Sequence, residues 1–318
     1  MSINLLGRAA DGSTVTLREP SSMVITRGWD TPVVMLEITF PRREETPDLI
    51  NIQLNHGEEV LFFGYCDEVI RSVDGDGTTV TITARSPGSL LVDNEAAPAT
   101  YTNLTATQFF NAELRPLGFT DLTLPNTTAA ASQFQLNKGY SIWEAFRQVC
   151  FRLYGRYPHI TSSNGIAVAA VTDENALVVD NDPLEAGALR WCSLEYITRR
   201  SSVVSSITYR DNNGNYTGVY TNPFDNGQLV NRRRYVIPRA EFAQTPALDP
   251  YQRILKGELG LHSARLTLPG LINLWPGQAI RFTDAACGTH VMGVYQSKII
   301  YNATGCRTRL VLARPALM

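Results

Sequence analysis

The chain of 318 residues has a composition typical of a globular protein, with 44% hydrophobic and 18% charged residues. Its length predicts two or three domains, and its formal net charge of -2 gives no electrostatic reason to expect specific binding to nucleic acid or to an anionic membrane. We expect neither a bilayer-spanning segment nor a secretion signal. Five scattered cysteines predict free thiols in a reducing cytosol.

Residues 1–96 are dense in strand patterns. In VVMLEITF, hydrophobic residues alternate until Pro41 ends the strand, and LINIQL and EEVLFFGY follow. The segment DGDG at 74–77 favours a hairpin turn, and we expect no helix before residue 100. These patterns predict a first β-barrel over 1–96, although the first thirty residues match no pattern that assigns them a structure.

Residues 97–190 change character and predict a small α/β insert. Thr105 and Gln108 have the spacing of a capping box at a helix start, and Ser141 and Glu144 repeat it before IWEAFRQVCFRLY. The second helix is expected to pack one apolar stripe on a hairpin at 156–171. This stripe, the predicted core of the insert, consists of Ile142, Phe146, Val149 and Leu153.

Residues 191–318 return to strand patterns and predict a second β-barrel. One helix, at about 249–264, interrupts them, with Asp249 expected as its N-cap and Pro250 as its first helical residue. The only basic run, Arg232–Arg234, is expected at a solvated strand end or in an interface salt bridge. Contact with passing DNA is the less favoured alternative, since phosphate binding uses a broad basic surface.

Two distant segments end on Ala-Arg and resemble each other. GYCDEVIRSVDGDGTTVTITAR at 64–85 aligns without a gap with GVYQSKIIYNATGCRTRLVLAR at 293–314. The alignment indicates either two ordinary hairpins or two copies of one barrel, and its match of Val80 with Arg309 allows a one-residue slip. The identical pairs are Gly64 with Gly293, Ile70 with Ile299, Thr79 with Thr308, Ala84 with Ala313 and Arg85 with Arg314.

The sequence predicts no enzyme, no metal and no cofactor. Cys150 and His159 could act as nucleophile and base, but Cys150 lies on the apolar stripe of its helix, which favours an inert thiol. Adjacent strand carboxylates point to opposite faces, and three zinc ligands lack a fourth. These remaining candidates are the carboxylates Glu58, Glu59, Asp74 and Asp76 and the ligand set Cys287, His290 and Cys306.

Four segments in a fixed order carry a resemblance to a known family. They are TITARSPGSLLVDNEA after the first β region, NLTATQFFNAELRPLGF and GYSIWEAFRQVCFRLYGRYPHITSSNGIAVA in the insert, and DPYQRILKGELGLHSARLTLPGLINLWPGQAIRF before the last strands. In this order the chain resembles the central baseplate hub proteins of phage tails, of the late-control-D type and of phage Mu, a family shared with contractile injection systems.

The resemblance implies a mainly β fold with an α/β insert, built as two tube-like antiparallel β-barrels plus a small α/β module. It implies a homotrimer in the virion tail baseplate, assembled in the host cytoplasm, that joins a sixfold tail tube to a threefold central spike. Other baseplate proteins are further partners. DNA would pass through the channel without specific binding.

A cell-wall-directed glycosidase or a carbohydrate-binding β module is the alternative from another class. A cleft with an isolated carboxylate pair would favour the glycosidase. A row of exposed aromatic side chains on a monomer would favour the binding module, and a ring-shaped oligomer would favour the hub.

Overall fold

A computed structural model describes residues 3–41, 48–75, 77–127, 129–181, 187–224, 231–243 and 245–318. The predicted fold class is confirmed, because the chain is mainly antiparallel β with an α/β insert and a few helices. Within these ranges, no helix combines the length and the apolar character that crossing a membrane requires.

Seven antiparallel strands form the N-terminal strand group. They are β1 (Ile3–Ala9), β2 (Thr14–Leu17), β3 (Ser22–Gly28), β4 (Met35–Pro41), β5 (Leu49–His56), β6 (Glu59–Asp74) and β7 (Gly77–Arg85). Their order across the sheet is β3-β4-β7-β6-β5-β1-β2. The alternation in β4 buries Leu36, Ile38 and Phe40 in the core of the group. The first thirty residues, which the sequence leaves unassigned, supply three of these strands.

A short helix, α1 (Ser89–Asp93), follows β7. The expectation of no helix before residue 100 is therefore wrong. The residue before α1 is Gly88, which has no side chain that could cap the helix. The usual signal of a helix start is thus absent from the sequence.

The insert contains two helical segments and five short strands. Its elements are β8 (Ala99–Leu104), α2 (Ala106–Phe109), β9 (Asp121–Thr123), β10 (Ala131–Leu136), α3 (Ile142–Tyr154), β11 (His159–Ile160) and β12 (Gly165–Ala167). A π-helical turn at Phe110–Leu114 extends α2. Both predicted capping boxes are present, at Thr105 with Gln108 and at Ser141 with Glu144.

The rest of the chain adds one helix, α4 (Leu248–Leu259), and further strands. The strands are β13 (Leu177–Asp180), β14 (Ser193–Thr198), β15 (Ser206–Tyr209), β16 (Gly218–Thr221), β17 (Arg233–Val236), β18 (His262–Pro269), β19 (Ala279–Asp284), β20 (Gly288–Asn302) and β21 (Gly305–Ala313). Strands β15, β16 and β17 form a separate side sheet. The others form the C-terminal strand group, in the order β14-β18-β21-β20-β19-β13.

Two predicted boundaries and one predicted barrel need correction. The insert was expected to reach residue 190, but β13 pairs in parallel with β19 of the C-terminal strand group. The side sheet interrupts the region 191–318, which was expected to form one barrel. The helix expected at about 249–264 ends at Leu259, because His262–Pro269 pairs with β14 and β21 instead.

Asp249 is not the N-cap of α4. The N-cap is Ala247, which offers no side-chain hydrogen bond. Asp249 lies fully buried in the first turn, where Arg239 and Arg253 form salt bridges to it at 2.7 and 3.0 Å. A buried carboxylate requires such partners, so tertiary contacts rather than capping explain this residue.

A ladder between β3 and β20 joins the two strand groups into one thirteen-stranded sheet. It pairs Met23–Gly28 with Gln296–Tyr301 in antiparallel register. Each group still has its own buried cluster, with Ile38 and Leu54 in the N-terminal core and Leu266 and Phe282 in the C-terminal core. Two strand groups with separate cores thus occupy the places of the two expected barrels.

The two strand groups repeat one pairing pattern at a constant distance along the chain. Strands β4, β5, β6 and β7 correspond to β18, β19, β20 and β21, each 228 positions later, as from 85 to 313. Arg85 lies opposite both Met35 and Tyr65, and its counterpart Ala313 lies opposite both Ser263 and Gly293. Both hairpins also shift register at the same point, after Cys66 and after Val294.

The sequence alignment of this repeat is wrong by one residue. It matched half-buried Thr79 with buried Thr308, whereas the ladders make Val80 the counterpart of Thr308. A slip of one residue exchanges the inward and outward faces of a strand, which explains the awkward match of Val80 with Arg309. The pairs to be corrected are Gly64 with Gly293, Ile70 with Ile299, Thr79 with Thr308, Ala84 with Ala313 and Arg85 with Arg314.

Candidate assembly surface

The predicted core of the insert lies inside one buried cluster. Ile142, Phe146 and Val149 are at most 5% exposed, and Leu153 is partly buried against the same cluster. The hairpin at 156–171 contributes Ile166 and Val168 to the cluster, but α2 and β10 contribute more of its members. The stripe of α3 therefore packs on several elements, of which the hairpin is only one.

The Ala-Arg end of β7 anchors α1. Arg85 donates hydrogen bonds to Asp67 at 2.6 Å and to Asp93 of α1 at 3.0 Å. These hydrogen bonds, first that of Asp67, raise the pKa of Arg85. All three side chains are about one third to one half exposed, so solvent screens the attraction.

The Ala-Arg end of β21 anchors α4. Arg314 donates to the carboxylate of Glu258 at 3.3 Å, and the side-chain amide of Asn222 donates to it at 2.8 Å. Glu258 is fully buried. Two donors therefore hold a carboxylate away from water at the base of the side sheet, a costlier arrangement than the one at Arg85.

A buried arginine ties the two strand groups together at their junction. Arg27 of β3 is fully buried and donates to the carbonyl of Leu61 at 2.7 Å and to that of Leu274 at 3.2 Å. Its guanidinium lies 4.2 Å from the ring centroid of Trp275. Burial lowers the pKa of Arg27 to about 10. Leu61 belongs to β6 and Leu274 follows β18, so one side chain bridges both groups.

Arg27 was not predicted as a functional residue. The available signal was the alternation of Met23, Ile25 and Arg27, which places an arginine on the inward face of a strand. That signal gains meaning only from the carbonyls that receive the guanidinium, and these lie far away along the chain.

Cys150 and His159, the candidate nucleophile and base, are both buried. Cys150 is fully buried, and burial raises the pKa of its thiol well above the usual value. His159 stacks on Trp29 with ring centroids 3.8 Å apart. Burial lowers the pKa of His159 to about 3, so the ring is neutral in the folded chain. Both side chains serve packing.

The buried, neutral state of His159 predicts acid-sensitive stability. Its pKa is about 6.5 in the unfolded chain, so the unfolded state binds more protons as the pH falls from about 6.5 toward 3. The stability contribution is fully present above pH 6.5, and about 2 kcal/mol should be lost by pH 5. Denaturant titrations at both pH values should show that His159→Phe, which keeps a flat ring, lacks this loss. An equal loss in both proteins would contradict the assignment.

Two of the metal and carboxylate candidates, His290 and Glu59, have structural partners. His290 donates to the backbone carbonyl of Cys287 at 2.6 Å, and Glu59 accepts from Asn273 at 2.6 Å. Over the described ranges, no three His, Cys, Asp or Glu side chains are grouped to hold a metal ion. Asp76 lies outside the described residues. Glu59 thus serves a contact between the strand groups.

The basic run lies at the start of β17, one of the two outer strands of the side sheet. Arg232 donates to the backbone carbonyls of Arg200 and Val203. Arg233 and Arg234 are exposed in β17, which pairs only with β15 among the described strands. Arg233 and Arg234 thus lie at an exposed strand end, one of the two settings that the sequence favours.

A groove of about 640 Å³ lies where α3, α4 and the C-terminal residues meet. Its acidic side chains are Asp30, Glu144 and Glu241. Glu144 belongs to the capping box of α3, Glu241 pairs with Arg239 at 3.3 Å, and Asp30 accepts from Tyr295. All three carboxylates of the groove therefore have structural partners.

Comparison with models of protein families gives no match, and comparison with curated proteins gives none either. Solved structures do match over nearly the whole chain. A tail protein from Neisseria meningitidis MC58 has a TM-score of 0.74 at 13% identity, covering 100% of this chain and 98% of that one. The 43 kDa tail protein of prophage MuSo2 from Shewanella oneidensis has a TM-score of 0.78 at 14% identity, covering 99% and 98%.

A third similar structure comes from a secretion machine. The Escherichia coli c3393 protein is described as a component of the type VI secretion system with structural similarity to the T4 tail proteins gp27 and gp5. It has a TM-score of 0.57 at 11% identity, over 93% of this chain and 73% of that one. The chain therefore has the fold of phage tail proteins and of a type VI secretion component, and its resemblance to the baseplate hub family is confirmed at the level of the fold.

Proposed function

We propose that this protein is a structural hub of a phage tail or phage-like injection machine, a homotrimer that joins the tail tube to a central spike in the baseplate. The observation that carries the proposal is the repeat of one strand-pairing pattern in β4–β7 and β18–β21. Three such chains would present six similar strand groups to a sixfold tube while keeping threefold symmetry for a spike.

The relatives by fold support a structural role in tails. Two are tail proteins, and the secretion component is described as similar to both gp27 and gp5. A further similar structure, with a TM-score of 0.54, is that of a PdpA–VgrG complex. The match covers 98% of this chain and 64% of the matched chain in that complex. Tube, spike and neighbouring baseplate proteins are the partners that this role implies, and assembly would take place in the host cytoplasm.

We further propose that the protein has no enzymatic activity. Three of the side chains with catalytic potential that the sequence offers, Cys150, His159 and Glu59, are engaged in packing or in hydrogen bonds. The purified protein should therefore release no fragments from peptidoglycan. Reproducible cleavage that is lost on replacing one carboxylate would favour the glycosidase instead.

Location within an assembled tail tests the proposed role. An epitope inserted after Asn213, in the exposed turn between β15 and β16, leaves both strand groups and the junction unchanged. In tails produced by co-expressing the whole tail gene cluster, gold-labelled antibody should bind at the baseplate end. Labelling along the tube, or only of protein outside the tails, would contradict the proposal.

A further inference from the structure

The junction between β3 and β20 occurs once within the chain, although the chain holds a counterpart of each of its strands. In the C-terminal strand group, β14 corresponds to β3. Thr26 of β3 lies opposite Met35, and Ile197 of β14 lies opposite Ser263, the counterpart of Met35. In the N-terminal strand group, Glu68–Val73 of β6 corresponds to the stretch of β20 that pairs with β3.

Both counterparts have an open edge in the part of the chain that the structure describes. Strand β14 pairs there with β18 alone, and Glu68–Val73 pairs there with β7 alone. An open edge presents unpaired backbone N–H and C=O groups that accept a further strand. The chain thus contains one complete junction, β3 with β20, and the two strand edges that a second junction of the same kind would join.

The two open edges have complementary side chains. The register of the β3–β20 ladder, transferred to β14 and β6, places Arg199 opposite Glu68 and Ile197 opposite Ile70. Arg199 and Glu68 are exposed and of opposite charge, and Ile70 is 43% exposed although it is apolar. Opposite charges and paired β-branched side chains are the cross-strand pairs that stabilise a sheet.

The end of β6 exposes an apolar side chain whose counterpart is covered. Val73 is 77% exposed. Its counterpart Tyr301 lies opposite Met23 in the junction and is partly buried against the N-terminal core. A strand lying beside β6 would cover Val73 in the same way, and the transferred register brings Leu194 there.

We propose that β14 of one copy pairs antiparallel with Glu68–Val73 of β6 in a second copy of this chain, with Ile197 opposite Ile70. The inference rests on the proposed function and deepens it, because it assigns the contact that links the chains. Two different edges meet, so the contact runs head to tail and closes a ring when the rotation permits. Junctions within and between chains then alternate around that ring.

Paired cysteines test the register. Ile70→Cys with Ile197→Cys, in a background in which Cys66 and Cys192 are replaced by serine, places two thiols directly opposite each other. Opposed Cα atoms in an antiparallel ladder lie within the range that a disulfide spans. Mild oxidation of assembled tails should yield a covalently closed trimer. The matched control, Ser72→Cys with Ile197→Cys, displaces one thiol by two residues and should crosslink at least ten times less.

A charge exchange tests the same contact without oxidation. Arg199→Glu should lower the yield of assembled rings at least tenfold, and adding Glu68→Arg should restore it. Arg115→Glu, which reverses an exposed charge on the insert, should leave the yield unchanged. Thermal unfolding of each purified variant confirms that the fold is intact.

The outcomes separate the ladder from the proposed function. A trimeric hub in which the paired cysteines stay reduced, or in which the charge exchange fails to restore assembly, would overturn the ladder and leave the hub in place. Crosslinked rings with another number of copies would support the ladder and overturn the trimer.

Discussion

Replacing Phe146 by alanine should lower the free energy of unfolding by about 3–5 kcal/mol. Phe146 is fully buried, and its ring stacks on Phe109 and packs beside Phe110 and Trp143, with centroids 6.0–6.4 Å apart. Removing it leaves a cavity among rigid aromatic rings that cannot readily collapse. Chemical denaturation of the two proteins measures the difference.

Two variants on the same helix calibrate this loss. Leu153→Ala should cost less, because Leu153 is only partly buried against the cluster. Gln148→Ala, on the side of α3 that lines the groove, should change stability by no more than about 0.5 kcal/mol. If Phe146→Ala cost as little as Gln148→Ala, the helix face would not be the core of the insert.

Arg314→Ala should destabilise the chain by about 3–5 kcal/mol, because it leaves the buried carboxylate of Glu258 without its cation. The amide of Asn222 remains as a neutral donor. Adding Glu258→Gln removes the uncompensated charge, so the double variant should recover a large part of the loss. Chemical denaturation of both single variants and of the double variant measures this coupling.

Arg85→Ala is the matched control, since it removes the arginine from the other Ala-Arg strand end. Arg85, Asp67 and Asp93 are all partly exposed, and partners in such pairs regain water when separated. The expected cost is about 1 kcal/mol or less for each pair. If Arg85→Ala and Arg314→Ala destabilised the chain equally, burial of Glu258 would not make its ion pair the more costly one to break.

Local signals in the sequence predicted the elements that local interactions stabilise. Both capping boxes, the stripe of α3 and the alternation of β4 are patterns within one element, and each fixes its element where the sequence placed it. Helix α1 lacks a capping side chain, and the position of Asp249 depends on two arginines outside the first turn. These two features could not be predicted without knowledge of the tertiary contacts.

The errors in the repeat and in the domain boundaries arise from long-range pairing. Identities at Ala84 and Arg85 aligned the hairpins, although inward and outward faces decide the register, and the counterpart of Ala84 is buried Leu312. The parallel pairing of β13 with β19 has no local signature in the sequence. Arg27 could likewise be identified only from the tertiary structure, in which β6 and the segment after β18 supply its hydrogen-bond acceptors.

A transverse section through the baseplate of an assembled tail, obtained by electron cryomicroscopy, tests the central claim most directly. An isolated chain can remain monomeric before its partners arrive, so the assembled particle is the relevant sample. The account predicts three copies around the axis, with β4–β7 and β18–β21 alternating as six similar units at one radius. Any other number of copies, or two strand groups at different radii, would contradict it.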